Sequence, residues 1–298
     1  MPLNILVTGA NGQMGNELRS VLASKTAQIG PVPTDYHDAR VTFAGAQELN
    51  IADAQAVERF VGNGGFDLIF NCAAYTDVDG CETNQERAYA VNAEGPRNLA
   101  RAAQRTKAAL VHLSTDYVFA GDNPMPRIES DPCEPQSIYG KSKLLGEQAV
   151  AQECERHFIV RSAWLYGSAG KNFVKTIMER ARSTGEIKVV NDQHGNPTTA
   201  NDLSYTLLKL ALCSEYGIYH CTNNGVCTWF DFASAIVDGA NIPCTKLPCS
   251  TDEFPRPAKR PAYSMLDNAR LRATIGDEMR PWQDALTDYL AHLKGAFV

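Results

Sequence analysis

The chain of 298 residues is 44% hydrophobic and 21% charged, which supplies a sizeable core and excludes a disordered protein. Its formal charge of −6 argues against nucleic acid as a partner, because such surfaces concentrate Lys and Arg. No apolar run approaches the ~20 residues of a membrane span, and the first residues carry no leader features. Nine scattered cysteines without a Cys-x-x-Cys pair indicate no disulfide framework or zinc ribbon. We therefore expect a cytoplasmic protein without a membrane partner.

The first half of the chain alternates short apolar runs with helical patterns. A strand is predicted over 3–7, and the apolar residues at 14, 18, 21 and 22 mark one face of a helix. A second strand is expected within 29–35, although Pro31 and Pro33 would remove hydrogen-bond donors from it. Further strands are predicted at 66–71, 109–113 and 157–161, with helices within 84–107 and after residue 137. This alternation predicts an α/β fold with a parallel, doubly wound sheet.

Beyond about residue 165 the alternation loosens. Strands are predicted at 187–191 and 218–221, helices at 173–182, 202–212 and 230–239, and a proline-rich loop at 254–261. We expect a dinucleotide-binding domain over 1–165, to which later segments return, and a mostly substrate-binding lobe over 166–298.

The segment TGANGQMG at 8–15 lies between the first strand and the first helix. Gly9 permits a tight turn, Gly12 lets backbone amides approach a pyrophosphate, and Gly15 allows the helix to pack closely on the strand. The helix N-terminus adds unpaired N–H groups and a positive dipole end. Because strand, loop and helix agree, the pattern predicts dinucleotide binding.

The choice between NADH and NADPH is left open by two residues. Asp35, 20 residues after Gly15, is placed to bind the adenosine ribose and to disfavour a 2′-phosphate. Arg40 would instead accept that phosphate. The alternative for Asp35 is an exposed turn residue beside the prolines.

Small side chains follow the third predicted strand, in the sequence NCAAY at 71–75. At the carboxyl end of a parallel strand they leave room for a ligand that lies across the sheet. The alternative is tight packing beneath a helix.

The strongest catalytic signal is the pair Tyr139 and Lys143, which share one helix face at i and i+4. The pKa of a phenol is ~10 in water, and a neighbouring ammonium lowers it toward neutrality for proton exchange. Such a pair also occurs by chance on exposed helices. Ser114 and Thr115 end the fourth predicted strand, and alternation points one of the two hydroxyls toward the site without indicating which.

These residues resemble a known family. The 8–15 loop, the run STDYVF at 114–119 and YGKSK at 139–143 resemble extended short-chain dehydrogenases/reductases. More narrowly, VNDQHGNPT at 190–198, RSAWLYG at 161–167 and RPA at 260–262 resemble dTDP-4-dehydrorhamnose reductases, over nearly the whole chain. The resemblance implies a Rossmann-type sheet, NADPH or NADH as cofactor, and a nucleotide sugar as substrate. Its implied reaction is reduction of the 4-keto group of dTDP-4-dehydro-β-L-rhamnose, by a monomer or homodimer.

The same resemblance assigns roles to individual residues. Thr115 is the catalytic hydroxyl, Tyr139 the proton donor and Lys143 the group that lowers the pKa of Tyr139. The residues expected at the cofactor are Gly9, Asn11, Gly12, Gln13, Met14, Asp35, Asn50, Ile51, Cys72, Ala73, Ala74, Tyr75, Asn92, Tyr139 and Lys143. Those expected at the substrate are Thr115, Asp116, Tyr139, Trp164, Asn172 and Arg260.

Two of these assignments have a purely structural alternative. Trp164 could be a core aromatic, and Arg260 a solvated loop charge. Some relatives bind Mg²⁺ between subunits through glutamates. Glu17 matches one such position, but Asn201 replaces another, so the residues of this chain do not support a metal.

Two other functions are compatible with the same motifs. A nucleotide-sugar epimerase or dehydratase would share the fold and consume no net cofactor. A dehydratase would need an acid–base pair after Thr115, and Tyr117 stands where its Glu is expected. A non-catalytic cofactor-binding subunit is the third possibility, against which the complete Thr115, Tyr139 and Lys143 set argues.

Overall fold

The computed structural model describes residues 2–276 and 278–295. The outer ends of the two predicted domains, residue 1 and residues 296–298, lie outside the described residues. The strands are, in chain order, β1 (Asn4–Thr8), β2 (Arg40–Ala44), β3 (Leu68–Asn71), β4 (Ala109–Thr115), β5 (His157–Ser162), β6 (Leu165–Tyr166), β7 (Glu186–Val190), β8 (His194–Gly195), β9 (Thr198–Thr199), β10 (Gly217–His220), β11 (Cys227–Thr228) and β12 (Thr245–Cys249).

The helices alternate with these strands in the first half and cluster in the second. They are α1 (Gln13–Ser24), α2 (Ala54–Gly64), α3 (Val78–Thr83), α4 (Gln85–Tyr89), α5 (Gly95–Thr106), α6 (Ile138–Glu153), α7 (Phe173–Thr184), α8 (Ala200–Leu210), α9 (Trp229–Gly239), α10 (Ala269–Ile275) and α11 (Trp282–Gly295).

A parallel sheet in the order β2-β1-β3-β4-β5-β10 forms the centre of the molecule. Alternate side chains of each strand enter two cores: Val7 and Phe70 pack with α1 and α8 on one face, and Leu6 and Ile69 pack with α2 and α5 on the other. Strands buried on both faces read as continuous apolar runs. The predicted doubly wound α/β fold is confirmed.

The prediction of a second strand within 29–35 is wrong. Pro31 and Pro33 lie in a loop that leads into a short 3-10 turn, Thr34–Tyr36, because proline lacks the N–H that a sheet ladder needs. The strand itself comes later, at β2, where it forms the edge of the sheet beside β1. The phenol of Tyr36 donates to the carbonyl of Leu208 at 2.8 Å, which anchors the long connection against α8.

Two elements from the second half of the chain lie against the central sheet. β10 pairs in parallel with β5, and α8 packs Leu203 and Leu207 into the core that contains Leu18 of α1. A separate core, called the second core below, lies between α7, α9 and α11 and includes Tyr166 and Phe232. The second half of the chain therefore contributes to two cores.

The strand order reverses between β1 and β3, which lie on either side of a topological switch point. In open parallel sheets a crevice forms there, outside the carboxyl ends of the strands, and it is where ligands bind. The glycine-rich loop after β1 and the small residues after β3 border this crevice.

Candidate active site

The loop between β1 and α1 needs glycine for steric reasons. Gly9 has φ of +64°, and a Cβ there would lie 2.5 Å from the backbone nitrogen of Ala73. A Cβ at Gly15 would lie 2.5 Å from the Gly9 carbonyl oxygen. Gly12 caps α1 without a side-chain hydrogen bond, so the N–H groups of the first helical turn have no side-chain partner. This cradle suits a dinucleotide pyrophosphate.

The three residues expected beside the loop lie in different settings. Asn11 is exposed, and Gln13 is half-buried. The side chain of Met14 is 4% exposed and belongs to the core, so only its backbone can face a ligand at the loop.

The expectation that Asp35 binds the ribose does not hold in the structure. Asp35 and Arg40 are exposed and lie before or at the first residue of β2, whereas the ligand crevice lies at the carboxyl ends of the strands. The strand was predicted too early in the chain, and the supposed position of Asp35 depended on it. The acidic residue after the carboxyl end of β2 is Glu48, whose Oε2 accepts the N–H of Gly45 at 2.9 Å.

Asn50 and Ile51 follow in the loop from β2 to α2. Ile51 is 3% exposed, and its carbonyl accepts the side-chain amide of Asn98 at 3.0 Å. Asn50 is exposed and accepts the N–H of Ala52 at 3.1 Å. Of the two, Asn50 therefore presents polar atoms to solvent near this edge of the sheet.

Two buried asparagines hold the loop from Cys72 to Tyr75, which also contains Ala73 and Ala74. Asn71 accepts the hydroxyl of Thr8 at 2.8 Å, which joins the ends of β3 and β1. Asn92 accepts the N–H of Tyr75 at 2.8 Å and donates to its carbonyl at 3.0 Å.

The amide of Asn92 also donates to Ser142 on α6 at 3.1 Å. Asn92 lies in a π-helical turn, 90–94, a feature frequent at functional sites. It therefore connects the loop after β3 to the helix that carries Tyr139.

The structure brings Thr115, Tyr139 and Lys143 together at the carboxyl end of β4. The ammonium of Lys143 donates to the carbonyl of Leu113 at 2.6 Å, and the Thr115 hydroxyl lies close enough to the phenol of Tyr139 to affect its pKa. Burial raises the pKa of Tyr139 above its ordinary value and outweighs the lowering effect of Thr115. The lowering expected from Lys143 stays a prediction.

The two hydroxyls at the end of β4 have different partners. Ser114 donates to Glu147, one helical turn after Lys143 on α6, whereas Thr115 donates to Asp116 at 2.8 Å and lies close to Tyr139. Strand alternation alone could not assign these partners.

Two charged groups of the site have pKa values shifted toward neutrality. Burial lowers the pKa of Lys143 to about 8, partly offset by Glu147 and Cys72. Burial raises the pKa of Asp116 to about 6, partly offset by the hydrogen bond from Thr115. Shifts of this kind in a cleft are typical of proton-transfer sites.

A buried ion pair beneath the site was missed from the sequence. Glu147 and Arg161 are each 2% exposed, with 2.7 Å between Nη2 and Oε2 and a second bond of 2.9 Å from Nε to Oε1. Glu147 lies one helical turn after Lys143 on α6. That i, i+4 spacing of an acid after the Tyr139–Lys143 pair is the signal that could have found it.

Trp164 and Asn172, both expected at the substrate, lie in different settings. Trp164 follows β5 and packs against the core cluster that contains Val118 and Phe119, which come two and three residues after Asp116. Asn172 caps α7 by accepting the N–H of Lys175 at 3.1 Å. Its amide donates to the carbonyl of Gly167 at 2.7 Å and to Oε1 of Gln13 at 3.4 Å, so it joins α7 to the glycine-rich loop.

Arg260 lies beside Tyr117, whose ring in turn contacts the ring of Tyr139. It donates to Asp79 of α3 at 3.0 Å, while its Nη1 is buried without a hydrogen-bond partner. It lies close enough to Tyr117 to lower the pKa of that phenol, which burial raises. The Tyr117 ring meets the Tyr139 ring edge to face at 5.4 Å.

The residues around Glu17 do not suit a divalent cation. Its Oε1 accepts the amide of Asn201 at 2.7 Å, and its Oε2 accepts the hydroxyl of Ser168 at 2.6 Å. Both oxygens are thus occupied by uncharged protein donors. Over 2–276 and 278–295, no group of three or more His, Cys, Asp or Glu side chains is placed to hold a metal ion.

Across the same residues, no helix combines the length and apolar character that a membrane crossing requires.

Known proteins share this architecture and these motifs. Residues 3–294 match the family model described as RmlD substrate binding domain. A dTDP-4-dehydrorhamnose reductase of Mycolicibacterium smegmatis is 41% identical over 99% of this chain and 88% of its own length. The structure of a dTDP-4-dehydrorhamnose reductase of Clostridium acetobutylicum has a TM-score of 0.92 and 43% identity, covering 98% of this chain and 100% of its own. The enzyme of Bacillus anthracis, solved in complex with NADP, has a TM-score of 0.91 and 39% identity over 98% of this chain and 100% of its own.

Proposed function

The chain belongs to the RmlD substrate binding domain family, and we propose that it is an oxidoreductase that reduces dTDP-4-dehydro-β-L-rhamnose to dTDP-L-rhamnose with NADPH or NADH. The observation that carries the proposal is the meeting of Thr115, Tyr139 and Lys143 at the carboxyl end of β4. The glycine cradle of β1 and α1 lies at the same edge of the sheet. The named relatives, 39–43% identical over nearly the full chain, support this choice of substrate.

In the proposed mechanism, the bound nicotinamide supplies the hydride that reaches C4 of the sugar. Tyr139 donates its proton to the oxygen that gains charge as the carbonyl is reduced. The Thr115 hydroxyl, whose one hydrogen goes to Asp116 in this structure, would turn to donate to the same oxygen once the sugar is bound. Lys143 stabilises the phenolate left on Tyr139 until a solvent proton replaces the one transferred, and its charge is held at the site by the carbonyl of Leu113.

Substrate contacts are proposed for three further residues. Asp116 accepts the hydroxyl of Thr115, and Trp164 comes two residues after Ser162, the β5 partner of Thr115; both would border the sugar. The buried Nη1 of Arg260, which has no hydrogen-bond partner, would donate a charge-assisted bond to the diphosphate. For Asn172, which caps α7 and donates to Gln13, the contact with the sugar stays a prediction from the family resemblance.

The direct test follows the loss of reduced-nicotinamide absorbance with dTDP-4-dehydro-β-L-rhamnose, using NADH and NADPH separately. Tyr139→Phe is expected to cut turnover by a factor on the order of 10² or more. Tyr36→Phe, which removes a phenol that bonds Leu208 away from the site, should leave turnover near that of the unaltered protein.

Other outcomes identify the alternatives. Sugar conversion without net cofactor consumption would indicate an epimerase or dehydratase. Cofactor binding without any turnover would indicate a non-catalytic subunit. Normal turnover in Tyr139→Phe would remove that residue from its role.

A further inference from the structure

The segment 190–198, the most specific part of the family resemblance, contains none of the residues assigned to the chemistry. In the structure, this segment ends beside the indole of Trp164 rather than at Tyr139. A Cβ at Gly195 would lie 2.4 Å from Cε2 and 2.6 Å from Nε1 of that indole. Only glycine lets the backbone approach the ring so closely.

Trp164 has a backbone conformation that needs support. Its φ is +47°, in the left-handed region that bulky side chains rarely adopt. It stands two residues after Ser162, the partner of Thr115 in the pairing of β4 with β5. Strained residues persist where surrounding contacts fix them, and they concentrate at functional sites.

Two further contacts hold the indole. Trp229 stacks on it with ring centroids 3.5 Å apart and an angle of 7° between the planes. The indole N–H donates to the hydroxyl of Ser264 at 3.1 Å, and Ser264 is 4% exposed. The ring is therefore fixed by a face contact, a hydrogen bond and the backbone of Gly195.

Trp229 is itself anchored in the second core. It is the first residue of α9, which begins with a reciprocal capping box between Thr228 and Asp231. The ring of Phe173, the first residue of α7, contacts Trp229 with centroids 4.4 Å apart. The position of Trp164 at the end of β5 thus depends on helices outside the central sheet.

We propose that Trp229 is a positioning residue that, together with Gly195 and Ser264, fixes the Trp164 indole at the substrate end of the site and so sets the affinity for the keto sugar. The inference rests on the proposed reduction and on the proposed contact between Trp164 and the sugar. An aromatic face offers apolar contact to a sugar ring without a polar group that must be desolvated. If the indole were mobile, fixing it on binding would cost conformational entropy, and this cost would reduce the binding free energy gained from the contact.

Circular dichroism tests the stack without any substrate. Closely stacked indoles couple, and they give a paired positive and negative band in the far ultraviolet when their transition dipoles are rotated relative to one another within the parallel ring planes. The chain has three tryptophans, so Trp229→Phe and Trp164→Phe should each abolish the band. Trp282→Phe should retain it, because Trp282 packs at right angles on Phe232 in the second core. Loss of the band only in Trp282→Phe would overturn the proposed stack.

Kinetics test the role of the stack. Trp229→Leu is expected to raise the KM for dTDP-4-dehydro-β-L-rhamnose roughly threefold to tenfold. This factor is the free energy of one aromatic pair converted to a change in affinity. The KM for NADPH should stay within about twofold. Trp229→Phe keeps part of the stack and should recover part of the loss, and Gly195→Ala should mimic Trp229→Leu by displacing the indole. Trp282→Phe is the matched control.

Failure of the positioning role and failure of the proposed reduction give different results. An unchanged KM for the sugar in Trp229→Leu and in Gly195→Ala, with the coupled band lost, would overturn the positioning role. If the unaltered protein oxidises no NADPH with this sugar, the proposed reduction fails instead. The binding of the dTDP-sugar, measured by calorimetry in the same variants, would then still decide whether Trp229 positions Trp164 for a ligand.

Discussion

The buried ion pair of Glu147 and Arg161 makes the stability of the fold sensitive to an isosteric change. Each side chain is 2% exposed, and Glu147 also accepts the hydroxyl of Ser114. Burial lowers the pKa of Arg161, while its bonds to Glu147 outweigh that effect and raise it. Glu147→Gln keeps the shape and an acceptor for Ser114 but leaves a buried guanidinium without its countercharge.

The expected loss in free energy of unfolding is about 3–5 kcal/mol, the range for removing one partner of a fully buried pair. The matched control is Glu94→Gln. Glu94 accepts Arg97 at 2.9 Å on the surface of α5, where its side chain is 51% exposed. Exposed pairs of this kind contribute about 0.5 kcal/mol, because water screens both charges.

Urea denaturation followed by circular dichroism, in the absence of cofactor, measures both variants against the unaltered protein. The reasoning is refuted if Glu147→Gln and Glu94→Gln lose equal stability with unchanged urea dependence. That result would mean that the protein relaxes around Arg161 or admits water to it.

Three further predictions concern charge. Burial raises the pKa of Asp116 from 3.8 to about 6, so its ionisation lowers the stability of the fold as the pH rises through that range. Asp116→Asn should therefore be more stable than the unaltered protein at pH 7.5, by up to about 3 kcal/mol. In thermal unfolding at pH 4 the variant should lose that advantage. The pKa of Lys143 is lowered to about 8, so kcat/KM for the sugar should fall as pH rises through that value, and a profile flat to pH 10 would contradict a need for the ammonium. Glu48→Gln removes the carboxylate near the end of β2 and should shift the kcat/KM ratio toward NADPH roughly tenfold, whereas Asp35→Asn should leave the ratio unchanged; equal shifts in both would return the ribose contact to Asp35.

Local sequence patterns predicted the elements on which the proposed site lies. The glycine spacing after β1 predicted the cradle, because turn geometry and close backbone approach tolerate little else at Gly9 and Gly15. The i, i+4 spacing of Tyr139 and Lys143 predicted their common helix face, since α6 contains both. The assigned division of the chain at residue 165 stays a prediction.

The second strand shows how a local error propagates. The expected spacing of an acid about 20 residues after the glycine loop indicated Asp35. However, a long connection, which Tyr36 anchors on α8, precedes the strand, and the strand begins only at Arg40 and ends at Ala44. Which acid lies at the carboxyl end of β2 depends on that connection. Glu48 is recognised as the acid that follows the carboxyl end of β2 only once the pairing of β2 with β1 is known.

The sequence by itself determined the parallel α/β fold, the dinucleotide cradle and the Tyr139–Lys143 helix face, because each is encoded within one or two turns of backbone periodicity. Only the tertiary structure decided that Thr115 lies close to Tyr139 while Ser114 donates to Glu147, that Glu147 pairs with Arg161, and that Trp164 lies against residues as distant in sequence as Ser264. The physical reason is that these contacts join separate elements. Their geometry follows from how the sheet and the second core pack, which local propensity does not encode.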